Sequence, residues 1–150
     1  MRAVRVEQFG IDNVQVRDLP DPVPGTGEVL IATEAATVNP ADAAVVSGAA
    51  ARFARGAVGP YTPGWDLVGT ITACGDGVSE SLVGTRVVGF RLWYESFRGT
   101  QASAVALPVG NVVPAPEGLP STQLTTVGLN GLTAWRGLAD LRLTGGETVV

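Results

Sequence analysis

Gly145-Gly146-Glu147-Thr148-Val149-Val150 closes the chain, and its reading decides the fold. The glycine pair is a helix-exit signal, and the apolar, β-branched run Thr148-Val149-Val150 reads as the opening of a buried strand. A strand entered from a helix in this way belongs to an α/β arrangement. The chain is therefore expected to be the front half of a larger protein, with a cofactor carried by the other half. Working backward, Leu132, Trp135, Leu138 and Leu141 recur at helical spacing up to Leu143, and Ser121 is placed to cap a helix running toward Gly128.

Ahead of Pro114 the texture changes to short strands and tight turns. Ala3 to Glu7 and Val14 to Arg17 alternate as strands, with a turn between Gly10 and Asn13. Leu19 to Gly25 is punctuated by Pro20, Pro22 and Pro24 and cannot sit inside a sheet. Glu28 to Ala36, Asp66 to Ala73, Arg86 to Phe90 and Gln101 to Leu107 read as further strands. Between the first two of these, Asn39-Pro40-Ala41-Asp42 has the form of a helix start: Asn39 as N-cap, Pro40 at the first position, Asp42 in the first turn. The expected architecture is mostly β with C-terminal helices.

Composition removes several function classes. The formal charge of −4 argues against nucleic acid or an anionic membrane as partner, since both require a basic face. Cys74 is the only cysteine, so no internal disulfide can form and a reducing cytoplasm is the expected location. There is no histidine and no lysine; all ten basic residues are arginine. Imidazole base chemistry and Schiff-base chemistry are thereby excluded from this segment.

Five stretches in fixed order carry a resemblance: Gly27-Glu28-Val29-Leu30, Val38-Asn39-Pro40-Ala41-Asp42, Pro63-Gly64-Trp65-Asp66-Leu67-Val68-Gly69, Val83-Gly84-Thr85-Arg86-Val87 and Gly131-Leu132-Thr133-Ala134-Trp135. Together they resemble the medium-chain dehydrogenase/reductase superfamily, and within it the zinc-independent quinone oxidoreductase branch. The resemblance implies a GroES-like β-barrel catalytic domain over residues 1–120, incomplete because the family adds a segment from its far C-terminus. Residues 121–150 would be linking helices and the first strand of a Rossmann-type nucleotide-binding domain, whose glycine-rich phosphate turn would lie beyond Val150.

The resemblance also assigns roles. The zinc branch places a cysteine where Asn39 stands, a histidine where Trp65 stands and a third ligand near Leu129; none of these three residues is a competent zinc ligand. Asn39 would lie beside the nicotinamide and substrate as well as capping its helix. Thr133 would approach the nicotinamide end of the cofactor, or simply bond back to a helical carbonyl. Asp42 and Asp66 are candidate catalytic carboxylates, with orientation of the pocket as the alternative. Trp65, Phe53, Trp93 and Tyr94 are candidate walls for a flat substrate, against loop packing as the alternative. Arg52 and Arg55 read as solvated loop residues.

The implied activity is NADPH-dependent hydride transfer to a quinone or an α,β-unsaturated carbonyl, by a homodimer when full length, with this chain alone inactive. Two alternatives remain open. One is a non-catalytic GroES-like binding or oligomerisation module; the other is an enoyl-thioester reductase, which Ala44 weakens because some enoyl-reducing relatives have a tyrosine there. Metal analysis of the purified protein is expected to find no stoichiometric zinc. About one tightly bound zinc per chain would overturn both that expectation and the alignment behind it.

Overall fold

The computed structural model describes residues 1–49, 60–93 and 96–149. Its strands are β1 (Arg2–Val6), β2 (Val14–Asp18), β3 (Glu28–Ala36), β4 (Asp66–Cys74), β5 (Arg86–Phe90), β6 (Ala104–Pro108) and β7 (Val112–Pro114). The helices are α1 (Pro40–Val46), α2 (Ser121–Leu124) and α3 (Leu132–Asp140), the last entered through a π-helical turn at Val127–Gly131. Five strands form one antiparallel sheet in the order β6-β3-β4-β5-β7, and β1 and β2 form a separate hairpin. No helix among the described residues is long and apolar enough to cross a membrane.

Side chains alternate across a strand, and the two faces of β4 have different partners. Leu67 and Ile71 point into a core with Val29, Ile31, Val87, Val105 and Leu107. Val68, with Val88 opposite it on β5, faces the other way and meets Leu124 of α2. Gly69 lies between, where a Cβ would come within 2.2 Å of the Ala32 carbonyl oxygen. Asp66, Val68 and Thr70 share one face of the strand, and that face receives the helical segment. Glu34 secures the same junction: its carboxylate accepts from Ser121 Oγ (2.6 Å), Arg86 Nε (3.0 Å) and Thr70 Oγ1 (3.1 Å). The Ser121 hydroxyl, ahead of Arg86 and Thr70, holds the Glu34 carboxyl below its usual value. A second core joins the hairpin to α1: Val6, Val45, Val46, Tyr61 and Trp93, with Phe9, Trp65 and Phe97 packed against it.

Three expectations need correcting. The strand expected from Gln101 begins at Ala104, because residues 101–103 bond to β1 first, through Val4 N–H to Gln101 O (2.9 Å) and Ser103 N–H to Arg2 O (2.8 Å). Ser121 is the first helical residue and not the cap, which is Pro120; its hydroxyl is engaged by Glu34 and Arg86. The helix expected to reach Gly128 stops at Leu124, and the π-turn follows. Thr148 and Val149 lie in no strand among the described residues, and Val149 is 51% exposed.

Leu124, 1% exposed between Val68 and Val88, fastens α2 to the sheet. Leu124→Ala is expected to lower stability in chemical denaturation by about 2–5 kcal/mol, the range for an unfilled core cavity. A change under about 0.5 kcal/mol, the level of an exposed substitution, would show that the helical segment is not part of the cooperative unit.

Candidate functional site

The site begins with a helix that needs its start satisfied. Asn39 takes the extended N-cap conformation (φ −112°, ψ 157°) and Pro40 follows where its lack of N–H costs nothing. Asp42, in the first turn, reaches back so that its Oδ2 accepts the Asn39 N–H at 2.7 Å. Its Oδ1 accepts the Gly64 N–H at 3.0 Å, fastening the helix start to the loop before β4. Gly64 is required there: its φ is +109°, and a Cβ would lie 2.6 Å from Thr100 Oγ1 and 2.7 Å from the Gln101 nitrogen. Burial, opposed by those two N–H bonds and assisted by the nearby Asp66 charge, pushes the Asp42 carboxyl above its ordinary value.

Asp66, the first residue of β4, is fully buried. Its Oδ2 accepts the Leu129 N–H at 2.8 Å, and the Thr37 hydroxyl donates to its Oδ1. The π-turn brings Leu129 in, and Gly128 permits the approach, because a Cβ there would be 2.6 Å from Asp66 Cβ. Thr37 Oγ1 in turn accepts from Asn39 Nδ2 (2.8 Å), and Asn39 Oδ1 accepts from Asn130 Nδ2 (2.9 Å). A ladder of hydrogen bonds thus runs from Asp66 through Thr37 and Asn39 to Asn130. Neither Thr37 nor Asn130 was singled out from sequence. The only signal was position: Thr37 stands two residues before Asn39, and Asn130 lies between Gly128 and Gly131.

The structure thus brings Asn39, Asp42 and Asp66 together and treats the remaining candidates differently. Thr133 is exposed and donates to the Leu129 carbonyl oxygen at 2.6 Å, the back-bond of a helical threonine; Leu129 therefore links Thr133 to Asp66. Trp65 is half-buried, edge-on to Trp93 with centroids 6.3 Å apart. Trp93 is 1% exposed and stacks on Tyr61 at 5.2 Å, within the core that joins the hairpin to α1. Phe53 and Tyr94 lie outside the described residues, as do Arg52 and Arg55. An apolar cleft of about 520 Å³ does lie beside the π-turn, walled by Phe90, Leu92, Val113, Val127 and Leu132. Phe90 pairs across the sheet with Asp66, which sets the cleft next to the ladder.

The three positions that hold zinc in the zinc branch are otherwise engaged here. Asn39 and Leu129 are committed to hydrogen bonds and Trp65 packs on Trp93. No group of three or more cysteines, aspartates or glutamates among the described residues could hold an ion.

Comparison with known proteins places these features. Residues 25–117 match the family model of the alcohol dehydrogenase GroES-like domain. A quinone oxidoreductase of Mus musculus is 36% identical over 153 aligned positions, spanning all of this chain and 44% of that protein. A mycocerosic acid synthase-like polyketide synthase of Mycobacterium tuberculosis is 36% identical over 128 positions, 85% of this chain and 6% of that one. Among solved structures, mycobacterial Rv1454c in complex with NADPH superposes with a TM-score of 0.81 at 30% identity, covering 96% of this chain and 42% of the other. The chain thus spans less than half the length of the relatives it matches.

Burial raises the Asp42 carboxyl above its ordinary 3.8, so the folded chain holds that proton to higher pH than the unfolded chain does. The contribution of Asp42 to stability is therefore fullest below that ordinary value and falls as pH rises through the raised folded value. An NMR titration of the Asp42 carboxyl is expected to give a midpoint above 3.8. A midpoint at or below it would mean that the N–H bonds from Asn39 and Gly64 outweigh burial.

Proposed function

The chain belongs to the alcohol dehydrogenase GroES-like family, and we propose that it is the catalytic-domain portion of a zinc-free, NADPH-dependent oxidoreductase of quinones or α,β-unsaturated carbonyls. The observation that carries this reading is the Asn39 amide. It stands where the zinc branch has a thiolate, 4% exposed, with one Nδ2–H given to Thr37 and the other without a partner among the described residues. A nearly buried amide donor of this kind suits a carbonyl oxygen on which negative charge develops. The similarity of all of this chain to 44% of a quinone oxidoreductase, and the NADPH complex of a 30% identical relative, support the substrate and cofactor classes.

When bound, NADPH would supply hydride from C4 of its nicotinamide. The chain's own contribution is positioning. Asn39 and the exposed hydroxyl of Thr133 would hold the nicotinamide end, and the cleft beside Phe90 and Leu132 would receive an apolar substrate. Both oxygens of Asp42 and both of Asp66 already accept hydrogen bonds, so these carboxylates orient the site and water supplies the proton. We read the active form as a homodimer of the longer protein and the 150 residues alone as inactive. An enoyl-thioester reductase is the second reading, favoured by the polyketide synthase similarity and weakened by Ala44.

The test compares the 150-residue chain with the polypeptide read through beyond Val150, following NADPH oxidation with a benzoquinone, an enone and a crotonyl thioester. Quinone- or enone-dependent oxidation by the longer protein only is the expected result. Preference for the thioester would install the second reading, and no oxidation of any acceptor by the longer protein would favour a non-catalytic module. Micromolar NADPH binding and quinone turnover by the 150 residues alone would overturn their inactivity.

A further inference from the structure

The hydrogen-bond ladder at Asn39 has a direction, and its direction follows from chemistry. A carboxylate only accepts, so the Thr37 hydroxyl proton must go to Asp66 Oδ1. With that proton spent, Thr37 Oγ1 can serve the next residue only as an acceptor. Asn39 must then turn its nitrogen, not its oxygen, toward Thr37. Its oxygen consequently faces Asn130, which must present Nδ2. Reversing any one amide sets two acceptors or two donors against each other, so the Asp66 carboxylate fixes the sense of every member.

Both ends of the ladder are also anchored. Asp66 is held by the Leu129 N–H and by the Thr100 hydroxyl, which donates to the Asp66 carbonyl at 2.9 Å. The Thr37 backbone is held by Gln101 Nε2, which donates to its carbonyl at 3.1 Å. Asn130 rides on the same π-turn that brings Leu129 to Asp66. The Asn39 amide is thereby gripped from two sides, by β3's exit through Thr37 and by the π-turn through Asn130.

We propose that Thr37 and Asn130 are positioning residues, which with Asp66 lock the Asn39 amide so that its second Nδ2–H is presented as a fixed donor to a carbonyl oxygen. The assignment rests on the proposed function for what that donor meets, but the locking itself does not. Without the lock, a half-turn of the amide would offer an acceptor where the reaction needs a donor. The locked amide requires no reorganisation as charge develops.

The test separates the two. In the 150-residue chain, NMR reads the two side-chain amide protons of Asn39. Thr37→Val and Asn130→Ala are each expected to shift both protons and speed their exchange about tenfold, the factor for one lost hydrogen bond. Thr37→Ser, which keeps the hydroxyl, is expected to restore the wild-type signature. Asn130 is exposed, so its variant keeps the measurement possible even if Thr37→Val fails to fold. Unchanged Asn39 shifts and exchange in Asn130→Ala would overturn the lock. In the longer protein, Thr37→Val and Asn130→Ala are expected to lower kcat about tenfold with little change in KM for NADPH, as a misoriented group does, and Thr37→Ser to restore it. Altered Asn39 resonances with an unaltered kcat would leave the lock standing and overturn Asn39 as the polarising donor.

Discussion

The buried carboxylate of Asp66 is the constraint on which the rest of the site depends. It sits at the first residue of β4 with no exposed surface, where an unsatisfied charge would cost several kcal/mol. Donors must therefore come to it, and they come from segments far apart in sequence: Thr37 at the exit of β3 and the Leu129 N–H in the π-turn. Two features of the chain that look unrelated follow from this. Gly128 lacks a side chain because Asp66 occupies the space, and the helix that begins at Ser121 breaks into a π-turn where an N–H must point at a carboxylate. A π-turn inside a helix is rare and tends to mark a functional position.

A comparison with the zinc-bearing branch of the same superfamily gives this arrangement a physical meaning. There, a metal would join the segments around Asn39, Trp65 and Leu129. Here the same three segments are joined by hydrogen bonds, from Leu129 to Asp66 and from Asn39 to Thr37 and Asn130. A zinc ion would add Lewis acidity as well as a cross-link. The ladder supplies the cross-link and one oriented amide donor. On the proposed reading, that weaker polarising group suits an acceptor that is already activated, such as a quinone or a conjugated carbonyl, with the cofactor doing the difficult chemistry.

What the sequence disclosed and what it concealed divide along one line. Elements defined by their own residues were legible: β3 over Glu28–Ala36, the Asn39-Pro40 helix start, β4 from Asp66 and β5 over Arg86–Phe90. Elements defined by a distant partner were not. The start of β6 depends on where β1 releases residues 101–103, and the hydroxyl of Ser121 goes to Glu34, 87 residues away. The same applies to the site. Asn39, Asp42 and Asp66 stand out by residue type beside Pro40 and Gly64, whereas Thr37 and Asn130 gain importance only through contacts that cross the fold. The aromatic residues are a related case: Trp93 packs against Tyr61, Trp65 and Phe97, while the cleft beside the π-turn is walled by Phe90, Leu92, Val127 and Leu132, none of which stood out by type.

The two carboxylates show how similar residues diverge by the kind of donor each receives. Asp42 is held by two backbone N–H groups, from Asn39 and Gly64. Backbone donors are fixed by the chain's path and pass nothing further, so Asp42 acts as a staple between α1 and the loop ahead of β4. Asp66 receives one backbone N–H and one hydroxyl. A hydroxyl has lone pairs left after donating, so Thr37 can hand the polarity of Asp66 on to Asn39, and Asn39 to Asn130. One carboxylate therefore fixes where the Asn39 backbone sits, and the other fixes which way its side-chain amide faces. On the proposed reading, both serve to hold a single N–H in place.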